Sequence, residues 1–80
     1  MFSFKTKTVE IDGQSVTLRE LSGAQWNEIT EDADMAVIIA MSWDPPNAVT
    51  AEQVRHWPFS IQKRIYDICA ELNGLNDEGN

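Results

Sequence analysis

The chain has 80 residues, of which 42% are hydrophobic and 24% charged, proportions typical of one folded domain rather than a disordered polymer. Its formal net charge of −7, from six basic and thirteen acidic residues, disfavours binding to nucleic acid or to anionic membranes. One cysteine excludes an internal disulfide and a multi-cysteine zinc site, and it is compatible with a reducing cytosol.

The first quarter of the sequence alternates between polar residues and residues with high strand propensity. We predict strands over about 3–11 and 15–20. Asp12 and Gly13 between them favour a two-residue hairpin turn, because glycine accepts a positive φ without steric cost. Val16 and Leu18 share one face of the second strand. A lone hairpin is marginal in water, so we expect it to pack on the helices or to pair with the edge of another chain.

The remaining sequence has helical patterns. Ser22 and Gln25 form a capping-box pattern, which predicts a helix from residue 23 to about 31. A second helix is predicted from near residue 32 to 43, because acidic residues are favoured at a helix N-terminus. Its stretch 35–41 is apolar nearly all round, as in a helix at the centre of a core or an interface. The run is far shorter than a membrane span of ~20 residues.

Thr50 and Gln53 form a second capping-box pattern, which predicts a short helix from 51 to about 56. Pro58 suits the first position of the last helix, and Gly74 suits its C-terminal cap. The last helix has one apolar stripe, made of Ile61, Ile65, Ile68, Cys69 and Leu72. Together these patterns predict an α+β fold, with an N-terminal β-hairpin followed by three or four helices. One domain would cover 1–75, with a flexible polar tail at 76–80.

No catalytic or metal-binding constellation stands out. Cys69 lies on the apolar stripe, where we expect it to act as a small core residue, and His56 is expected at the surface or as a helix cap. A group of four acidic residues is expected to be a solvated helix face rather than a metal site: Glu28, Glu31, Asp32 and Asp34. No glycine-rich phosphate loop is present. We therefore expect no enzyme activity and no cofactor.

The chain has three tryptophans, Trp26, Trp43 and Trp57, each near a predicted helix end. Such residues either fill a small core or anchor a protein interface, and the sequence leaves both roles open. Trp57 is the favoured anchor, because it lies in a break between two helices. The predicted function class is a protein-binding module, and its candidate interface residues are Ile38, Ile39, Trp43, Trp57, Phe59 and Ile65.

Three short segments stand out: 16–22 (VTLRELS), 40–45 (AMSWDP) and 70–75 (AELNGL). Their order and spacing resemble the small tail assembly chaperones of long-tailed bacteriophages, those with non-contractile tails above all. Residues 16–22 (VTLRELS) resemble the opening motif of that family, and 70–75 (AELNGL) its Leu-Asn-Gly-Leu ending. Between them, 40–45 (AMSWDP) fits the family's small-residue helix closed by an Asp-Pro turn. The resemblance covers about 9–75, whereas the first eight residues match no motif of the family.

The resemblance implies a chaperone that binds the tape measure protein, keeps it soluble and recruits the major tail tube protein. Such a chaperone works in the host cell cytoplasm and is absent from the mature virion. The family also implies a longer form made by a ribosomal frameshift, with the slip site near residues 79–80. Self-association of the chain, through the apolar surfaces that would contact the tape measure protein, is a further expectation.

Two other functions remain open. A small acidic inhibitor could occupy a nucleic-acid-binding protein, which requires carboxylates spaced like phosphates over an extended face. A small structural protein at the head–tail joint of the virion is the second alternative, and it predicts that the chain is found in mature particles.

Overall fold

The computed structural model describes residues 2–45 and 48–74. Pro46, Asn47, Leu75 and the predicted tail at 76–80 lie outside the described residues, and so does the predicted domain end. Two strands precede four helices, which confirms the predicted α+β fold: β1 (Thr6–Ile11), β2 (Gln14–Arg19), α1 (Gly23–Glu28), α2 (Met35–Ser42), α3 (Ala51–Arg55) and α4 (Phe59–Leu72). Among the described residues, no helix combines the length and apolar character that a membrane span needs.

The hairpin has the predicted two-residue turn. Strands β1 and β2 pair antiparallel, with Ile11 opposite Gln14 beside the turn. Asp12 and Gly13 have φ angles of 54° and 81°, and positive φ at both central residues is what a type I′ turn requires. β1 begins at Thr6 rather than at residue 3, although Glu20 N still donates to Lys5 O at 2.9 Å. The tight turn fixes the register and therefore which side chains face the core.

The second strand is covered on both edges. β1 pairs with one edge, and Trp43 forms an isolated antiparallel bridge to Leu18 on the other. Asp44 N donates to Thr17 O at 3.1 Å and extends that contact by one residue. Val16 and Leu18 are both buried, as predicted, because their shared face packs against the helices.

Side-chain caps decide where α1 and α2 begin. Ser22 N donates to Gln25 Oε1 and Gln25 N donates to Ser22 Oγ, at 2.9 and 3.1 Å, so the predicted capping box is confirmed. α1 ends at Glu28, three residues earlier than predicted, where Ile29 turns to extended backbone. α2 begins only at Met35, because the Asp34 carboxylate caps it by accepting from Val37 N at 3.2 Å.

The last two helices follow the predicted pattern closely. Thr50 and Gln53 form the second capping box, and α3 ends at Arg55. Pro58 is the N-cap of α4 and not its first helical residue. Gly74 has a φ of 74° directly after the helix, as a C-terminal glycine cap requires.

One core lies where α2 and α4 pack on each other and on the inner face of the hairpin. The largest wholly buried side chains come from four different elements: Leu18, Ile39, Val54 and Ile65. Because α2 is apolar nearly all round, it packs against α3 as well as α4. This placement leaves the hairpin turn and the α3–α4 junction at one side of the molecule, where they form a cleft.

Candidate protein-binding cleft

A cleft of about 340 Å³ opens between the hairpin turn, the residue that follows α2, and the start of α4. Its floor consists of the buried core residues Ile11, Val16 and Ile65. The half-buried side chains of Trp43 and Trp57 also line it. The cleft is thus an opening into the core, and a ligand there would contact mostly apolar side chains.

The two tryptophans touch each other. Their ring centroids lie 5.6 Å apart and the ring planes are inclined by 59°, a tilted arrangement within the range that aromatic pairs prefer. Trp43 is held by its bridge to Leu18. Trp57 is held by two hydrogen bonds, since its N–H donates to Val54 O at 3.0 Å and its carbonyl accepts from Gln62 Nε2 at 2.9 Å. The backbone of Trp43 is therefore held to the sheet and that of Trp57 to α3 and α4.

One charge lies at the cleft. Among the described residues that line it, Asp12 is the only one with a charged side chain, and it is exposed at the tip of the hairpin. Gln14, on the other side of the turn, is an exposed polar residue that also lines the cleft. The cleft consequently combines an apolar floor and aromatic wall with one carboxylate at the edge.

The six predicted interface residues divide into two groups. Ile38 and Ile39 are only 7% and 0% exposed and belong to the core, and Ile65, 1% exposed, is a core residue that also lies at the floor of the cleft. These side chains are buried because the apolar faces of α2 and α4 cover each other, and their role as interface residues stays a prediction. Trp43 and Trp57 are brought together in the cleft, whereas Phe59 is 67% exposed and directly follows Pro58, which lines the cleft. Their role as an interface stays a prediction.

The sequence did not predict that six further residues would line the cleft beside the tryptophans: Ile11, Asp12, Gln14, Val16, Val49 and Pro58. The hairpin signal at Asp12 was clear, but nothing in the sequence places this turn beside residue 57. Trp26 lies elsewhere: it is 47% exposed and lines a separate cavity with Leu21 and Asn73. It has no aromatic partner among the described residues.

The two residues that could have suggested chemistry lie in different environments. Cys69 is wholly buried, and burial raises the pKa of its thiol to about 11. His56 follows α3 at the surface, with Nε2 3.3 Å from Glu52 Oε2. Within residues 2–45 and 48–74, no group of three or more His, Cys, Asp or Glu side chains could hold a metal ion.

Ser42 is the one buried polar residue of the core that the described part of the chain contains. Its Oγ has no conventional hydrogen-bond partner there, and the weakly polar thiol of Cys69 is the group that faces it. The hydroxyl partly opposes the rise in the thiol pKa. Both groups are buried. The hydroxyl without a conventional partner lowers the stability of the core, and neither group is accessible to a reactant.

Comparison of the chain with protein-family models, curated proteins and solved structures found no match. Function is therefore inferred from the chain's own residues: the motifs at 16–22, 40–45 and 70–75, and the geometry of the aromatic cleft.

Proposed function

We propose that this protein is a tail assembly chaperone of a long-tailed bacteriophage, which binds the tape measure protein and keeps it soluble. In this role it recruits the major tail tube protein. The observation that carries the proposal is the half-open cleft beside Trp43 and Trp57, an anchored aromatic surface on a strongly acidic chain. Large aromatic side chains in such positions are enriched among residues that dominate binding energy at protein interfaces.

The motifs that carry the family resemblance meet in the fold. Leu21 N, in the first motif, donates to Asn73 Oδ1, in the last, at 2.8 Å, although the two residues are 52 positions apart. Asn73 Nδ2 in turn donates to Cys69 O at 2.8 Å. These motifs therefore act together in joining the β2–α1 connection to the end of α4. The resemblance concerns the framework of the domain, and it supports the proposal through that framework.

The cleft fits part of a helical partner. Its volume lies at the lower end of the ~300–1,000 Å³ range of ligand sites, so it has room for one or two side chains rather than a whole helix. The exposed ring of Phe59 beside Pro58 adds apolar surface outside it. A tape measure protein is a long amphipathic helix, and many weak contacts along one long partner add up to strong binding.

The charge of the chain supports the same role. A net charge of −7 keeps a complex in solution and favours basic partners by complementarity. A chaperone of this kind acts in the host cytoplasm and is absent from the finished virion. Purified mature particles are therefore expected to lack this chain.

The experiment is co-expression of this chain with the tape measure protein of the same phage, followed by measurement of the partner's soluble fraction. We expect the fraction to rise with wild type and to stay high at 0.5 M salt, because apolar contacts are screened little by ions. Trp57→Ala should lose the effect. Trp26→Ala is the matched control, since it removes an exposed tryptophan away from the cleft.

Other outcomes distinguish the alternatives. A partner that is equally soluble without this chain, and that does not bind it, contradicts the proposal. Binding that is lost at high salt would favour an acidic inhibitor, since charge contacts between exposed groups are screened. Detection of the chain in mature particles would favour a structural role at the head–tail joint.

A further inference from the structure

We propose that the cleft recognises a helical segment that carries a large apolar side chain with a Lys or Arg three or four residues away. The apolar side chain contacts the wall made by Trp43 and Trp57, and the basic group pairs with the Asp12 carboxylate. The inference rests on the proposed function and adds to it the chemistry of the recognised segment.

The residues that line the cleft determine its specificity for a large apolar side chain. Ile11, Val16 and Ile65 provide an apolar floor, and the tilted tryptophan pair provides a large aromatic surface. A leucine, phenylalanine or similar side chain loses contact with water there and leaves no polar group without a partner. Polar side chains would lose hydrogen bonds to water on entry.

The Asp12 carboxylate at the edge of the cleft determines the specificity for a Lys or Arg. Among the described residues that line the cleft, Asp12 is the only charged one, and its backbone has a φ of 54° inside a two-residue turn. The Lys and Arg ion pairs among the described residues use other carboxylates, those of Asp34 and Asp67, and the Glu52 carboxylate lies beside His56. The carboxylate of Asp12 is exposed at the edge of the cleft, where it complements a cation.

A helix can meet both requirements at once. Residues three or four apart lie on the same helix face, with Cβ atoms about 5–6 Å apart. An apolar residue and a Lys or Arg at this spacing can therefore meet the aromatic wall and the carboxylate together. A Glu at the second position would be repelled by Asp12, so the charge selects among helices that share the same apolar stripe.

The test uses the whole chain and two designed helical peptides of about 18 residues, identical except for Lys or Glu four residues after one Leu on the apolar stripe. Binding is followed by NMR through the indole N–H signals of the three tryptophans. We expect the Lys peptide to shift the signals of Trp43 and Trp57 but not that of Trp26. At low salt its Kd should be about threefold to tenfold lower than that of the Glu peptide.

Two variants isolate the charge. Asp12→Asn removes it and keeps the turn, because asparagine also tolerates positive φ. Asp32→Asn is the matched control, since it makes the same change in net charge at an exposed residue outside the cleft lining. The Kd ratio of the two peptides should fall to about one in Asp12→Asn and stay unchanged in Asp32→Asn.

Equal Kd values for both peptides in wild type, no binding of either peptide, or a ratio that Asp12→Asn leaves intact would overturn the inference. Co-expression separates this failure from failure of the proposed function. If wild type keeps the tape measure protein soluble but the peptides are not distinguished, only the charge selectivity falls. If the peptides are distinguished without any effect on the tape measure protein, the chaperone function falls and the cleft specificity stands.

Discussion

The core and the aromatic cleft both use side chains from the hairpin and from α4, yet the core is buried and the cleft is open on one side. Around Ile39 and Leu18 every face is covered, by α2, α4 and the hairpin together. Around Trp43 and Trp57 one side stays open in the described part of the chain, where the tip of the hairpin, Val49 and the start of α4 line the cleft. Phe59, at the first position of α4, is 67% exposed, whereas Ile65 on the same helix is 1% exposed.

This difference separates stability from recognition within a small domain. An 80-residue chain buries little apolar surface in total. Large side chains that stay half-buried therefore contribute less to the free energy of unfolding than they would if they were wholly buried. Substitutions in the core should therefore change the free energy of unfolding and leave the cleft's surface intact. Exposed residues beside the cleft should show the reverse behaviour.

The largest expected effect is the loss of stability in Ile39→Ala. We expect the free energy of unfolding to fall by about 2–5 kcal/mol, because a wholly buried side chain leaves a cavity. Phe59→Ala is the matched comparison and should change it by less than about 0.5 kcal/mol. Urea denaturation followed by circular dichroism measures both. Similar losses in the two variants would break the division between core and cleft.

The next effect is a loss of stability at alkaline pH that comes from Cys69. Burial raises the pKa of this thiol from 9.0 to about 11, so the unfolded chain loses the proton first as the pH rises. The free energy of unfolding should therefore fall between pH 9 and 11, by about 2–3 kcal/mol from this group. Urea denaturation at pH 8 and pH 11 tests this, and Cys69→Ala should lose less over the same range. Identical pH slopes would mean that water reaches the thiol.

A smaller effect of opposite sign is expected for Ser42→Ala. Ser42 Oγ is buried without a conventional partner among the described residues, and alanine has the higher helix propensity. The free energy of unfolding should rise by about 1 kcal/mol, which a shift of the urea midpoint at constant slope would report. A loss of similar size would show that the contact with the Cys69 thiol is a real hydrogen bond.

The smallest effect concerns a surface ion pair outside both regions. Arg55 Nε lies 3.0 Å from Asp34 Oδ2, and this hydrogen bond is the main cause that lowers the pKa of Asp34 from its ordinary 3.8. The carboxylate therefore stabilises the fold above pH 3.8, and this stabilisation is lost as the pH falls through its folded-state pKa.

Asp34→Asn tests that pair and keeps a side chain that can cap α2. Wild type should be slightly more stable than the variant at pH 7, and the difference should disappear at low pH. Parallel urea titrations at pH 7 and pH 2.5 measure it. A constant difference at both pH values would assign the effect to helix capping and not to charge.

The local structure was largely predictable. The Asp12–Gly13 turn, the two capping boxes and the glycine after α4 each depend on residues within a few positions of one another. The errors occurred at helix ends. Asp34 caps α2 with its own carboxylate, so the acidic residues before it lie outside the helix rather than in its first turn. Sequence alone did not reveal which of several acidic residues would be the cap.

The sequence by itself determined the order of strands and helices, their apolar faces and the acidic surface, because backbone propensities and side-chain periodicity act over short distances. Only the tertiary structure decided that Ile38, Ile39 and Ile65 are buried while Trp43 and Trp57 stay half-buried. It also placed Asp12 beside residues more than 30 positions away. The reason is that the isoleucines and tryptophans are all large apolar residues in helical segments or beside them, and the exposure of each depends on which elements pack over it.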